Sequence, residues 1–127
     1  MNCLENPPAL KINSVLYSKD RPMPVHVRLE QRIVWNLLKV LESKGFVSHY
    51  VDDGDEQTKV VSKKSAMELL FNLDDAYLFL RHVRGSAHIV WIRFVFGNGV
   101  DVVSDYNATN WKGFQEVMDN FNAEEYA

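Results

Sequence analysis

The sequence is poor in cysteine and has no strong excess of either charge. Its 127 residues include a single cysteine, so no disulfide can form within the chain, and disulfide-rich secreted domains are excluded. Fourteen basic and 17 acidic residues give a formal net charge of −3. That balance argues against a surface coated in cations for nonspecific nucleic-acid binding.

Long hydrophobic runs are also missing. A membrane-spanning helix needs about 18 or more apolar residues in succession, and the longest runs here are broken by Arg81, His82 and Arg93. The first ten residues lack the basic-then-apolar order of a secretory signal. We therefore expect a cytoplasmic protein without membrane contact. The length favours a single domain over residues 1–127, with flexible tails at 1–9 and 122–127.

Motifs for catalysis and metal binding are absent as well. The sequence has no G-x-S-x-G and no G-x-G-x-x-G, and its four histidines are dispersed without H-x-x-x-H spacing. The acidic cluster at 52–56 lacks the order of a calcium loop and favours a solvated hairpin turn. We therefore predict no metal and no cofactor. We favour a non-catalytic protein while leaving enzymatic activity open.

Helices and strands alternate along the chain. Apolar residues at i, i+3, i+4 and i+7 predict a helix over 26–44, with Gly45 as its C-cap. Ser65 and Glu68 have the spacing of a capping box at the start of a second helix. Three helices are predicted over 26–44, 65–73 and 110–121, and strands over 10–17, 46–51, 57–62 and within 76–106. The order β-α-β-β-α-β-β-β-α predicts an α+β domain with a mainly antiparallel sheet of five or six strands.

The three-stranded meander over 76–106 has an unusual pattern. If Gly85-Ser86 and the Gly97-Asn98-Gly99 segment form two-residue turns, counting sets the register. One face then carries Tyr77, Phe79 and Ile92, and the other carries Leu78, Trp91 and Arg93. Both faces would be apolar, whereas antiparallel sheets usually keep one face wet. The sequence leaves two explanations open: the three helices cover both faces, or a second copy of the protein covers one.

Trp35 is a second unusual feature. On the predicted helix it lies on the polar side, beside Gln31 and Lys39. Exposed tryptophan is enriched at protein interfaces, so these three residues are candidate interface residues. The alternative is that a loop or the N-terminal strand packs over Trp35.

Charge is unevenly spread along the second half of the chain. Residues 76–100 contain three arginines and no acid, whereas 101–127 contain six acids and one lysine. Arg81 and Arg93 stand among apolar residues and need carboxylate or carbonyl partners, for which Asp101 and Asp105 are candidates. The alternative is that one of these arginines binds an anionic ligand. The candidate ligand site on the meander comprises Arg93, Trp91, Tyr106 and His82.

The segment W-I-R-F-V-F-G-N-G-V-D-V-V-S-D-Y, residues 91–106, resembles a hairpin pattern in small proteins of bacteria, phages and mobile gene cassettes, including integron cassettes. The resemblance implies a bacterial or phage accessory protein without an assigned reaction. It implies no catalytic residues.

Three functional hypotheses follow. The first is a non-catalytic interaction module that acts through protein–protein contact as a homodimer, or with an unidentified protein partner. The second is a protein or enzyme that takes a small anionic or aromatic ligand at the meander site. The third is a nucleic-acid-associated regulator, since strands over 76–96 interleave arginine with aromatic residues. The third is disfavoured because the RNP signature is absent and the aromatic residues fit a core better.

Overall fold

The structure is a computed structural model that describes Pro7, residues 25–107, Thr109 and residues 111–126. The strand predicted over 10–17 lies outside these residues. The described part contains three α-helices: α1 (Val25–Ser43), α2 (Lys63–Leu70) and α3 (Lys112–Asn120). It contains five strands: β1 (Phe46–Asp52), β2 (Gln57–Lys59), β3 (Asp75–His82), β4 (Gly85–Val95) and β5 (Val103–Tyr106). The predicted α+β class is confirmed.

The strands form one sheet in the order β2-β1-β3-β4-β5, and every neighbouring pair is antiparallel. The helices form a layer on one face of this sheet. Their apolar sides meet the buried strand residues in a single hydrophobic core. The largest fully buried side chains are Phe46, Phe94, Phe114, Ile33, Leu37, Leu38, Leu41, Met67, Leu70, Leu78, Leu80 and Ile92.

The register of β3 against β4 differs from the predicted one. The chain turns at Val83 and Arg84 rather than at Gly85-Ser86, and His82 pairs with Gly85. After a bulge, Leu78 lies opposite Ile92, whereas the predicted register put these two side chains on different faces. The prediction is wrong by one residue. Because side chains alternate with a period of two, that slip moves one strand's side chains to the opposite face.

The correct register separates two kinds of side chain. Leu78, Leu80, Val90 and Ile92 all lie on the face that the helices cover. The opposite face, which we call the open face, is instead aromatic and charged. Its residues in β1, β3 and β4, assigned from the pairing, are Val47, Tyr50, Asp52, Asp75, Tyr77, Phe79, Arg81, Ile89, Trp91, Arg93 and Val95. The two faces of the meander therefore differ in kind: the covered face is mainly aliphatic, and the open face combines aromatic and charged side chains.

The connection between β4 and β5 is longer than predicted. Residues Gly99–Asp101 form a 3₁₀ turn, so the last strand begins only at Val103. The carboxylate of Glu30, which is buried in α1, accepts the Gly97 backbone N–H at 2.8 and 3.1 Å. This bond ties the first helix to the end of the meander. Nothing in the local pattern of α1 predicted it.

Two further findings concern a helix cap and the end of the described chain. The capping box of α2 is formed by Ser62 and Ser65 rather than by Ser65 and Glu68, so this helix starts two residues earlier than predicted. The segment predicted as a tail over 122–127 contains regular structure. Residues Ala123–Tyr126 form a 3₁₀ turn, and the buried Tyr126 ring stacks on Phe121 at 5.1 Å.

Gly45 ends α1 in left-handed backbone, with φ of +90°, as predicted. A Cβ atom added at this position would lie 2.8 Å from His82 Nε2. Gly54, in the turn between β1 and β2, has a similar φ of +99°, but a Cβ atom added there would meet nothing within 4 Å. The two glycines therefore share a backbone requirement and differ in their surroundings.

Substituting these glycines should separate the two effects. We expect Gly54→Ala to lower the free energy of unfolding by about 1–2 kcal/mol, the cost of left-handed backbone in an L-residue. Gly45→Ala should cost clearly more, because the new methyl group also meets the His82 ring. Urea unfolding followed by circular dichroism measures both. Equal losses in the two variants would show that the His82 contact has no energetic weight.

Candidate functional site

A cluster of four aromatic rings lies at the centre of the open face. Tyr50, Phe79 and Trp91 stand side by side on β1, β3 and β4, because the register places them opposite one another. The Tyr50 and Phe79 rings stack with centroids 4.5 Å apart, and Tyr77 meets Trp91 edge-on at 5.3 Å. The cluster thus spans three strands and forms a continuous aromatic surface.

This aromatic cluster is partly accessible to solvent. Tyr77 is 36% exposed and the adjacent Ile89 41%, while the remaining rings are half-buried. No helix in the described ranges packs against this side of the sheet, since the helical layer contacts the aliphatic face. Large contiguous apolar patches on soluble proteins mark sites of interaction. The open face is therefore the candidate functional surface.

Charged residues of opposite sign flank the aromatic cluster at its two ends. Arg81 lies at one end, opposite Ile89 in the strand pairing, while Lys59 lies at the β2 side of the cluster, opposite Tyr50. The other end carries carboxylates on three strands together with a single arginine: Asp52, Asp75, Asp105 and Arg93. The open face is thus cationic at one end and predominantly anionic at the other.

Arg93 is held by Asp75 through two parallel hydrogen bonds. Its Nη2 donates to Oδ2 at 2.6 Å and its Nε donates to Oδ1 at 3.1 Å. This bidentate geometry is the strong form of an arginine–carboxylate pair. The hydrogen bond from Arg93 lowers the pKa of the Asp75 carboxyl, and the same bond raises the pKa of Arg93. Both groups therefore stay charged around neutral pH.

The predicted carboxylate partners of this arginine were Asp101 and Asp105. Asp105 lies directly opposite Arg93 in the register and raises its pKa slightly through its charge, but the hydrogen-bonded partner is Asp75. The sequence pattern did not indicate Asp75, because this carboxylate stands at the very start of β3 and faces β4 only through the pairing. Asp75 can be identified as the partner of Arg93 only when the register of β3 against β4 is known.

The four residues of the predicted ligand site do not come together. Trp91 and Arg93 lie on the open face, whereas Tyr106 and His82 lie on the side of the helices. The Tyr106 hydroxyl donates to Asp119 Oδ1 at 2.8 Å, which raises the pKa of this tyrosine. The His82 ring is placed between Phe46 and Trp111, with centroid distances of 4.9 and 4.5 Å. The sheet therefore separates the four predicted site residues, with two of them on each of its faces.

The predicted interface residues on α1 are not exposed as expected. Trp35 is only 8% exposed and belongs to the hydrophobic core, so its assignment to a polar, solvent-facing side is wrong. Lys63, the first residue of α2, lies with its Nζ 4.0 Å from the centroid of the Trp35 ring. Gln31 is also buried and Lys39 is half-buried. A helical projection alone does not show that α2 packs beside α1.

Among the described residues, no group of three or more histidine, cysteine, aspartate or glutamate side chains is placed to hold a metal ion. No helix in the described ranges is both long and apolar enough to cross a membrane. Comparisons of the chain with models of protein families, with curated proteins and with solved structures found no significant match. Function is therefore inferred from the geometry of this chain.

The ion pair on the open face can be tested through the titration of Asp75. We expect its pKa, measured by carbon-detected NMR, to lie below the ordinary value of 3.8 and to return to it in Arg93→Gln. Because the folded-state pKa is lowered, the pair stabilises the protein above pH 3.8, and that contribution is lost as the pH falls through the folded-state pKa.

Arg84→Gln is the control for this titration, because it removes the same charge from an exposed turn. It should leave the pKa of Asp75 unchanged. An ordinary pKa for Asp75 in the unaltered protein would show that the ion pair does not persist in solution.

Proposed function

We propose that this protein is a non-catalytic, cytoplasmic interaction module that associates with a second copy of itself through the open face. The observation that supports this proposal is the aromatic cluster of Tyr50, Tyr77, Phe79 and Trp91, which no helix of the described ranges covers. Aromatic residues are enriched in the cores of protein interfaces, where they bury large areas at low cost in conformational entropy.

The charge pattern favours a second copy over an unrelated partner. A two-fold axis that lies between two open faces, perpendicular to the strands, reverses the strand direction of one copy relative to the other. The end with Arg81 then faces the anionic end with Asp52 and Asp75 of its partner, twice by symmetry. An isologous interface requires this kind of self-complementary surface. The aromatic clusters meet at its centre.

The other hypotheses have weaker support. A single ligand pocket at Arg93, Trp91, Tyr106 and His82 is not favoured, because these residues lie on two faces of the sheet. A nucleic-acid surface would use the same aromatic residues as stacking platforms. The carboxylates at one end of the open face oppose a polyanion, so a protein partner is favoured. The resemblance of residues 91–106 to cassette and phage proteins is in keeping with an accessory role.

Introducing a charge into the aromatic cluster should break the association. We expect the unaltered protein to sediment as a dimer of the 14.7 kDa chain, and Phe79→Glu to sediment as a monomer, because burying an unpaired carboxylate in an interface is unfavourable. Analytical ultracentrifugation across a range of protein concentrations measures this, with circular dichroism to confirm that the variant is folded.

Val100→Glu is the matched control, because this exposed valine lies in the 3₁₀ turn between β4 and β5, away from the open face. It should remain dimeric. Purely monomeric unaltered protein at every concentration, or a dimeric Phe79→Glu variant, would rule out association through this surface.

A further inference from the structure

A cavity of about 380 Å³ lies beside the open face, where β1 and β2 separate. Strand β2 pairs only with Tyr50, Val51 and Asp52, and a bulge around His49 interrupts β1 immediately before them. The Val60 N–H still donates to the His49 carbonyl at 3.0 Å, after which the chain turns away toward α2. The two segments diverge, and the cavity opens between them.

The cavity wall is rich in cationic side chains. It contains Arg81, Lys59 and Lys63, with Glu42 as its single carboxylate among the described residues. Lys63 Nζ lies 3.4 Å from Glu42 Oε1, so these two charges largely neutralise each other. Among the described residues, Arg81 and Lys59 form no ion pair, and both line this concave wall.

Arg81 differs from Arg93 in a way that points to a ligand. Within the described ranges no carboxylate lies within 4.0 Å of its guanidinium, although the residue is half-buried. A guanidinium withdrawn from water without a carboxylate partner is unfavourable unless an anion compensates it. Its planar fork of N–H donors matches the oxygens of a phosphate group, and nearby lysine adds a point charge.

The remaining wall is largely aliphatic. Val47, Val60 and Val83 line the cavity beside the charged groups, and its volume falls within the range of small-molecule sites. Ser62 also lines it, but its hydroxyl already accepts the Ser65 N–H as the cap of α2. Polar and apolar walls of this kind suit a ligand with one anionic group and a small organic part.

We propose that this cavity binds a phosphate monoester of a small organic molecule. Arg81 and Lys59 hold the phosphate, and the three valines contact the organic part. The inference does not rest on self-association, because the cavity is formed by one chain. Arg81 belongs both to the cavity and to the open face, so binding and association are measured separately below.

The test is an NMR titration of ¹⁵N-labelled protein with inorganic phosphate and with phenyl phosphate, at constant ionic strength set by chloride. We expect saturable shifts confined to amides of residues 47–49, 59–63 and 81–83. Phenyl phosphate should bind more tightly than inorganic phosphate, because its ring replaces water against the valines. Arg81→Met should weaken binding of both by at least about tenfold, the loss of a charge-assisted hydrogen-bonded pair.

Arg84→Met is the matched control, since it removes an arginine from the adjacent turn that does not line the cavity. It should change the affinity by less than about twofold, as for an exposed charge. Equal weakening in both variants would show diffuse attraction of anions and overturn the proposal. The absence of saturable shifts would also overturn the proposal. So would equal affinity for the two probes, because it would show that the valines do not contact the phenyl ring.

Sedimentation of the same samples distinguishes this inference from the proposed function. A monomer that binds phenyl phosphate through Arg81 overturns self-association and supports the cavity. A dimer that shows no saturable shifts overturns the cavity, because Arg81 is then engaged by its partner.

Discussion

The register of β3 against β4 is the constraint on which the rest of the molecule depends. The turn at Val83-Arg84 and the bulge that follows it set this register. Leu78, Leu80, Val90 and Ile92 then face the helices, whereas Tyr77, Phe79, Trp91 and both arginines face the other way. Displacement of one strand by one residue would bury guanidinium groups in the core and expose leucine and isoleucine, a double penalty that holds the pairing in place. Both proposed sites depend on the placement of side chains that this one pairing sets.

The two meander arginines show that position within a sheet determines whether an arginine has a carboxylate partner. Both lie on the open face, and their sequence neighbours are similarly apolar. Arg93 lies in β4 opposite the start of β3, where Asp75 is in reach of both its donors. Arg81 lies near the end of β3, beside the part of β1 with which β2 does not pair. At this position the surrounding residues form a cavity, and none of its described carboxylates pairs with Arg81. Among the described residues, Arg93 therefore has a carboxylate partner, whereas Arg81 has none and lines the proposed ligand cavity.

Periodicity in the sequence predicted the features that depend on one segment alone. The helix over 26–44 and the left-handed cap at Gly45 follow from apolar spacing and from glycine's freedom, and the class of fold follows from the order of segments. The meander register was not predictable in this way, because Gly85-Ser86 is the better turn by local chemistry and the actual turn requires a bulge. The exposure of Trp35 was predicted wrongly, because a helical wheel shows only the residues of one helix and does not show that α2 packs against this tryptophan. Among the residues of the aromatic cluster, Trp91 was predicted as part of a functional site. Tyr50 was not predicted, because the bulge in β1 breaks the alternation of side chains that would have placed it on the same face.

The two outer strands have a consequence for how copies of this chain can meet. In the part of the chain that the structure describes, the sheet is bordered by β2 with three residues and β5 with four. Short borders offer few unpaired backbone groups, and the side chains of β2 are polar and exposed. Strand-by-strand addition, the route to fibrillar aggregates, is therefore poorly templated at both edges. The proposed association through the broad face is complete with two copies, so it offers no surface for open-ended growth.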